Sequence, residues 1–406
     1  MGTIIKISWR NVWRNKLRSL VVIISMVLGL WSGLFTVAMS KGINEQRVKS
    51  AIDTYLHHVQ IHNPNFEYNF DINSSIKNPL KVVKELENNN LVKGYSSRLI
   101  ISAMASTAHG SEGVRVIGVD SKNENQFSDI SKNITKGNYF SKIKSKPALI
   151  GQKLADNLKL DIKKKLSFTF VDDKGDLQRI KFKVEGIFKT ANSIHDNGNI
   201  YVKKEDLNQL LIDSSVIHEV AILSNNIEDS DILKQQLQSL FPENKVETWK
   251  DISPELGSIQ GLLVWFFIIF MSIILLALSF GIANIMLMAV LERKRELGML
   301  MSVGLNKTKI FMMILFETIF ISLISLPVGI TLSYLMISYY GQVGIDLSIV
   351  SEGLEAFGMK SMVYTHLPND YYFKITILTL FVTLISSLFP ARRALKLDPA
   401  EAVRSL

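Results

Sequence analysis

The sequence predicts an α-helical membrane protein with four transmembrane helices and an α+β extracytoplasmic domain inserted between helices 1 and 2. Three observations predict it. Four apolar runs are long enough to cross a bilayer, for which about 20 residues suffice. A polar stretch of roughly two hundred residues, large enough for its own core, separates the first run from the second. Basic residues gather in the segments that would share one side of the membrane, and acidic ones in the loop on the other. The 406 residues are 47% hydrophobic and 20% charged, with a net charge of +9. That charge sits beside the apolar runs, which points to membrane topology and away from nucleic acid. With no cysteine, disulfides, thiolate metal sites and cysteine catalysis are excluded.

Residues 1–18 carry Lys6, Arg10, Arg14, Lys16 and Arg18 and no acid. Ile5, Trp9, Val12 and Trp13 fall near one helical face. The segment reads as an interfacial amphipathic helix, with tryptophans at headgroup depth and cations facing lipid phosphates. Residues 19–40 form the first span, apolar from Leu20 to Met39. A cleaved signal peptide competes through Ala38-Met39-Ser40, but the apolar core exceeds a typical signal core. Ser25, Gly29 and Gly33 recur at four-residue spacing, a small-residue stripe that lets helix backbones approach and suits a dimer contact.

Residues 41–258 read as the extracytoplasmic (periplasmic) domain. Strands are expected near 58–62, 99–106, 114–120, 166–171, 180–188, 200–202 and 220–223, and helices near 79–90, 152–160, 205–211 and 229–241. Asp172-Asp173-Lys174-Gly175-Asp176 reads as a hairpin turn. The mixture without strict alternation predicts α+β, in one or two lobes. His57, His58 and His62 invite a metal hypothesis. On a strand they sit too far apart and lack a nearby carboxylate, so a solvated strand face fits better.

The second span covers 259–291, the third 310–340 and the fourth 372–390. Pro327 is placed to kink the third. Glu317 lies about two turns inside it, where a carboxylate needs a partner. Either an interhelical contact with a coupling role or pairing with Lys307 or Lys309 would satisfy it. The 341–371 loop is acidic. The 292–309 segment and the 391–406 tail are basic, which puts both termini and 292–309 in the cytoplasm.

No chemistry of catalysis is legible. There is no Gly-Lys dipeptide, hence no Walker A loop, and neither His-Glu-x-x-His nor Gly-x-Ser-x-Gly occurs. No catalytic, cofactor-binding or metal-ligating residues are assigned. The informative stretch is 292–304. Glu292 and Glu296 share a helical face with Lys294 and Arg295 able to pair around them. Leu297, Leu300, Met301 and Gly304 give a short apolar stripe. Gly304 fits a helix C-terminus, and Asn306 the N-cap of the next helix.

Glu292-Arg-Lys-Arg-Glu-Leu-Gly-Met-Leu-Met-Ser-Val-Gly304 resembles the segment after the second span in the FtsX/MacB/LolC-LolE superfamily of ABC transporter permeases. Phe389-Pro-Ala-Arg-Arg-Ala-Leu-Lys-Leu-Asp-Pro-Ala-Glu-Ala-Val-Arg404 is similar to its C-terminal end, and Ala148 to Leu160 to part of its outside domain. Trp9 to Asn15 and His58 to His62 resemble the lipoprotein-releasing branch. The resemblance implies that Glu292, Arg293, Arg295, Glu296, Gly298 and Gly304 form a coupling helix docking on a separate cytoplasmic ABC ATPase dimer. It also implies a second permease subunit, the same or different, contact with membrane lipids, and an inner-membrane location. ATP and magnesium would be used by the ATPase partner and no cofactor by this chain, a non-enzymatic subunit. The work implied is release of lipoproteins. The alternatives are MacB-like efflux with a periplasmic adaptor, or an FtsX-like regulator of a wall hydrolase. Lys163-Lys164-Lys165 stands where the family has a Gly-Asp turn.

Overall fold

The computed structural model describes residues 2–66, 70–140, 146–172, 174–209 and 216–395. Residues 396–406 of the basic tail, with Lys396 and Arg404, as well as Asp173 of the hairpin, lie outside these residues. The chain divides into two units. A helical unit takes residues from 1–43, 261–346 and 362–406, and a sheet unit takes 44–260 and 347–361.

Among the described residues four helices are long and apolar enough to cross a membrane, and they lie within the helices Lys16–Ala51 (extended by a π-helical turn, Ile52–Leu56), Pro254–Glu292, Lys307–Val343 and Asn369–Leu395. Pro327 lies inside the third. A separate helix, Gly2–Arg14, precedes them and buries Ile4, Ser8 and Val12, one residue per turn along a single face. Its opposite side leaves Trp9 and Trp13 exposed, as an interfacial helix would.

The apolar contacts of this unit are tight because small residues stand where helices meet. A side-chain carbon on Gly33 would lie 2.6 Å from Met271 Cε, one on Gly29 would lie 2.9 Å from Leu278 Cδ1, and one on Gly329 would lie 2.9 Å from Leu30 Cδ2. Gly29 and Gly33 therefore let the first spanning helix close on the second of the same chain. The stripe read from the sequence as a dimer contact has an intramolecular partner along both glycines. Ser25 is turned to its own helix, donating to the Val21 carbonyl at 2.8 Å.

Among the described residues the sheet unit has ten strands: β1 (Val59–His62), β2 (Val92–Ser106), β3 (Ser111–Val119), β4 (Ile134–Gly137), β5 (Pro147–Gly151), β6 (Lys165–Val171), β7 (Leu177–Phe188), β8 (Asn199–Lys203), β9 (Glu219–Ser224) and β10 (Lys245–Thr248). Their order is β10-β1-β9-β2-β3-β8-β5-β7-β4, with β6 against β2 and β7. Pairs are antiparallel except β3 with β8 and β5 with β7. The first half of β2 pairs with β9 and the second half with β3. Alternation along β2 sends Leu99 and Ile101 into a core with Ile150, Phe168 and Phe182, while Ile100 faces the other side with Ile117 and Tyr201. At the β9 end, Val59, Ile61, Val220 and Ile222 pack under helices Pro79–Asn88 and Ser230–Leu240 through Val82, Leu86, Leu233 and Leu237.

Residues 347–361 of the loop between the third and fourth spanning helices group with the sheet unit. Glu355 pairs with Lys189 at 2.8 Å. At the position where the family's Gly-Asp turn is replaced, Lys163 takes φ +70° without a glycine, and its N–H donates to the Val184 carbonyl at 2.8 Å. Such a left-handed residue costs about 1–2 kcal/mol when it carries a side chain. The Asp172 carboxylate accepts from the N–H groups of Lys174 and Asp176 and from Gln178. It acts as the peg of a hairpin with Gly175 at φ +88°.

The three histidines are partnered separately. His57 is fully buried with Nε2 2.6 Å from an Arg98 nitrogen, His58 Nδ1 faces Ser224 at 2.7 Å, and His62 Nε2 lies 2.9 Å from Gln60 Oε1. The solvated strand face expected of them is therefore corrected for His57 and His62, which are buried. Among the described residues no three His, Asp, Glu or Cys side chains are grouped to hold a metal ion.

Candidate functional site

The elbow is built by two stops and a cap. The helix Pro254–Glu292 ends because Arg293 leaves helical geometry, at φ −100° and ψ 16°. A nine-residue helix, Lys294–Ser302, follows. It closes with Gly304 at φ +99°, where Leu305 N–H reaches back to the Leu300 carbonyl at 2.9 Å. A left-handed residue at this place favours glycine. Asn306 then caps Lys307–Val343, its side chain accepting from Thr308 N–H. Leu297 and Gly298 are buried, with Leu297 in a cluster containing Val290 and Ile310. The elbow helix is thus fixed to the ends of both helices it joins.

Its charged residues divide by face. Arg293 donates to Glu317 at 2.9 Å and to Glu296 at 3.1 Å. Asn11 of the N-terminal helix also donates to Glu317, at 2.6 Å. Arg14 pairs with Glu296 at 2.5 Å, and Arg18 pairs with Glu292. Ser8 donates to the Met313 carbonyl at 3.0 Å and is fully buried. Burial alone would raise the Glu296 carboxyl, but the hydrogen bonds from Arg14 and Arg293 outweigh it and hold it below the usual carboxylate range. Arg295 belongs to none of this. It is exposed, and with Met299 (49% exposed) and Val303 (87%) it forms a separate open stripe at four-residue spacing.

Two expectations are corrected here. The partner of Glu317 is Arg293 with Asn11, not Lys307 or Lys309, because the arginine sits at the helix break where its long fork can turn inward. Arg14 and Arg18 meet the elbow's acids and not lipid phosphates alone. Of the six elbow residues singled out by sequence, Glu292, Arg293 and Glu296 come together in this internal clasp. Gly298 is buried beneath it, Gly304 makes the turn, and Arg295 faces outward, as does the part of Glu292 that Arg18 does not cover. Asn11, Arg14 and Arg18 were not singled out as partners. Their three- and four-residue spacing, matched against Glu292 and Glu296 four apart, is the signal that groups them.

Residues 19–240 match the family model of the MacB-like periplasmic core domain, more than half of the chain, and residues 268–399 match the FtsX-like permease C-terminal model. The chain belongs to the FtsX/MacB/LolC family of ABC transporter permeases and is a multi-pass membrane protein. It is 24% identical over 407 residues to the lipoprotein-releasing system transmembrane protein LolC of Buchnera aphidicola, covering 97% of this chain and 96% of that one. It is likewise 24% identical to the ABC transporter permease MJ1507 of Methanocaldococcus jannaschii, over 99% and 97% of the two chains. The pyoverdine export ATP-binding/permease protein PvdT of Pseudomonas syringae is 24% identical over 99% of this chain, which spans 59% of that protein. Among solved structures, the periplasmic region of MacB from Actinobacillus actinomycetemcomitans overlaps 52% of this chain and 98% of its own, at 12% identity and a TM-score of 0.35.

Proposed function

We propose that this chain is the non-catalytic membrane subunit of an ABC transporter that carries the motion of a separate cytoplasmic ATPase dimer, which uses ATP and magnesium, to an extracytoplasmic domain for release of lipoproteins from the inner membrane. The observation that carries the coupling part is the division of the elbow. One face is clasped to the N-terminal helix and to Glu317, and the opposite stripe, Arg295, Met299 and Val303, is open. A short helix tied rigidly at both ends transmits a push without absorbing it. The open stripe has an apolar centre and a cation, a combination suited to a docked partner. Basic segments at 292–309 and at both ends favour a cytoplasmic side for the elbow.

Similarity to LolC along nearly the full length of both chains supports lipoprotein release. Similarity to PvdT supports a second reading, export with a periplasmic adaptor. In either reading a second permease subunit, the same or different, completes the assembly. The test is co-purification of the tagged protein from its native membrane, with mass spectrometry of everything bound. A Walker-motif ATPase with a triacylated lipoprotein is expected. An ATPase with a periplasmic adaptor and no lipoprotein would favour export, and no ATPase at all would overturn the coupling role.

A further inference from the structure

The spanning part of the helix Pro254–Glu292 has two sides, and its own chain covers one of them. On the covered side Met271 and Leu278 meet the first spanning helix at Gly33 and Gly29, and Leu275, Ile282 and Met286 are buried along the same side. On the opposite side Leu262, Phe266, Ile269, Ile273, Leu276 and Phe280 are each 51–69% exposed. They recur at steps of four, three, four, three and four. That is the 3.5-residue repeat of a seam between two supercoiled helices. The stripe runs on through Asn284 to Leu291, both exposed.

Lipid alone does not suit this side, for two reasons. The first is length. At about 1.5 Å per residue the stripe from Leu262 to Leu291 is about 44 Å long, whereas the hydrocarbon of a bilayer is about 30 Å thick. Immersing it would take a tilt steeper than about 40°, beyond the range of spanning helices. Glu292 bounds one end, so the residues left outside the hydrocarbon are those around Leu262 and Phe266. The second reason is Asn284. It is exposed, and among the described residues its amide has no hydrogen-bond partner. It stands about two turns from Glu292, on a side where hydrocarbon offers an amide nothing. Beside it Gly281 is open: a side-chain carbon there would meet nothing within 4 Å, unlike one on Gly29, Gly33 or Gly329. A groove of about 760 Å³ adjoins both residues and reaches Ile385 and Phe389 of Asn369–Leu395, so another helix has room to approach. An asparagine amide both donates and accepts, so Asn284 can bond to its own counterpart across a two-fold axis. The stripe carries no charge that would call for a complementary, different chain.

We propose that this face of Pro254–Glu292 is the docking surface for a second copy of this chain, the two helices packed along the seam from Leu262 to Phe280 with Asn284 bonded to Asn284 across the axis. The inference rests on the transporter reading for the existence of a second permease subunit, and it commits that subunit to being the same chain. A single asparagine in an apolar seam fixes which residues face one another, because any other register leaves two amides unpaired. The first spanning helix, whose glycines are already filled by its own chain, is left out of the seam.

The chain has no cysteine, so single cysteines can report the contact. Ile269→Cys, Ile273→Cys and Leu276→Cys on the seam, with Ile268→Cys and Leu323→Cys as exposed positions off it, are oxidised in the native membrane with copper phenanthroline. The three seam variants are expected to give a product of twice the chain's mass, and the two others little or none. Asn284→Leu, its melting temperature reporting that it is folded, should weaken dimerisation in detergent about threefold to thirtyfold, the range for a polar contact between membrane helices. Asn284→Gln, which keeps the amide, should retain most of the dimer. No cross-link at the seam, equal cross-linking off it, a product containing a different chain, or an unchanged dimer in folded Asn284→Leu would each overturn the proposal. Co-purification of the ATPase from the same membranes separates the two readings. ATPase without seam cross-links removes this interface and leaves the coupling role standing, whereas seam cross-links without ATPase do the reverse.

Discussion

Each unit contains an arginine held between two glutamates, and the two triads differ in one respect, access to water. In the sheet unit Arg98 sits between Glu124 and Glu219, with Ser96 donating to Glu124 at 2.6 Å. In the helical unit Arg293 sits between Glu296 and Glu317, with Asn11 donating to Glu317. The Arg98 and Glu124 side chains are 3% and 1% exposed, whereas Glu296 is 42% exposed. A desolvated triad has no alternative partner if it opens, so it behaves as a fixed joint. A triad with one wet carboxylate can trade partners with water or with Arg14 at little cost. The same three residue types therefore make a rivet in one unit and a clasp in the other, and the clasp is the one beside the elbow.

Mutations test this contrast, beginning with the largest effect. Arg98→Met leaves two buried carboxylates unpaired and should destabilise the sheet unit by about 3–5 kcal/mol, read as a drop in its melting temperature. Arg293→Met leaves Glu317 with Asn11 alone and should cost about 1–3 kcal/mol, together with a loss of coupled activity. If the two variants melt alike, the distinction between rivet and clasp fails.

Acid should separate the units as well. Burial keeps the imidazoles of His57 and His195 neutral in the folded state, while the unfolded chain takes up those protons near pH 6.5. Stability contributed there is complete above about pH 6.5 and falls as pH falls. Asp196, raised to about 6 by burial despite hydrogen bonds from Thr190, works the other way between about pH 4 and 6. Two imidazoles outweigh one carboxylate, so the melting temperature of the sheet unit should drop between pH 7 and 5. A flat profile would show that these histidines are not desolvated.

Smaller effects sharpen the account of the clasp. Arg14→Glu should cost no more than about 1 kcal/mol yet lower coupled activity, and adding Glu296→Arg should restore it; failure of that exchange would reduce the pair to a surface contact. Arg295→Glu should change stability by no more than about 0.5 kcal/mol while uncoupling ATP hydrolysis. Unchanged coupling there would remove the open stripe from docking.

The spans and the elbow were legible because the physics that forms them is local. A spanning helix needs only its own apolar run, and the elbow's end is written in Gly304 and Asn306. Much of the sheet was legible for the same reason, through alternating apolar residues. What was not legible depends on distant partners. The helix Ser121–Phe127 has no apolar period, and it forms because the Asp120 side chain accepts from the N–H groups of Lys122 and Asn123. β10 is four residues long and exists as the antiparallel neighbour of β1. The pairing of Glu317 with Arg293 spans a helix break, and the contacts of Arg14 and Arg18 join residues more than 270 positions apart. No window along the chain contains those pairs.

One feature of the sheet bears on how such a unit can move. Strand β2 is fifteen residues long and serves both halves, β9 along its first part and β3 along its second. There is no loop at the midpoint to act as a pivot. A load applied across one half must pass through a continuous backbone and be resisted by hydrogen bonds sheared together, not opened one after another. The unit should therefore behave as a beam and not as a pair of jaws, turning as a whole and flexing by twist along β2.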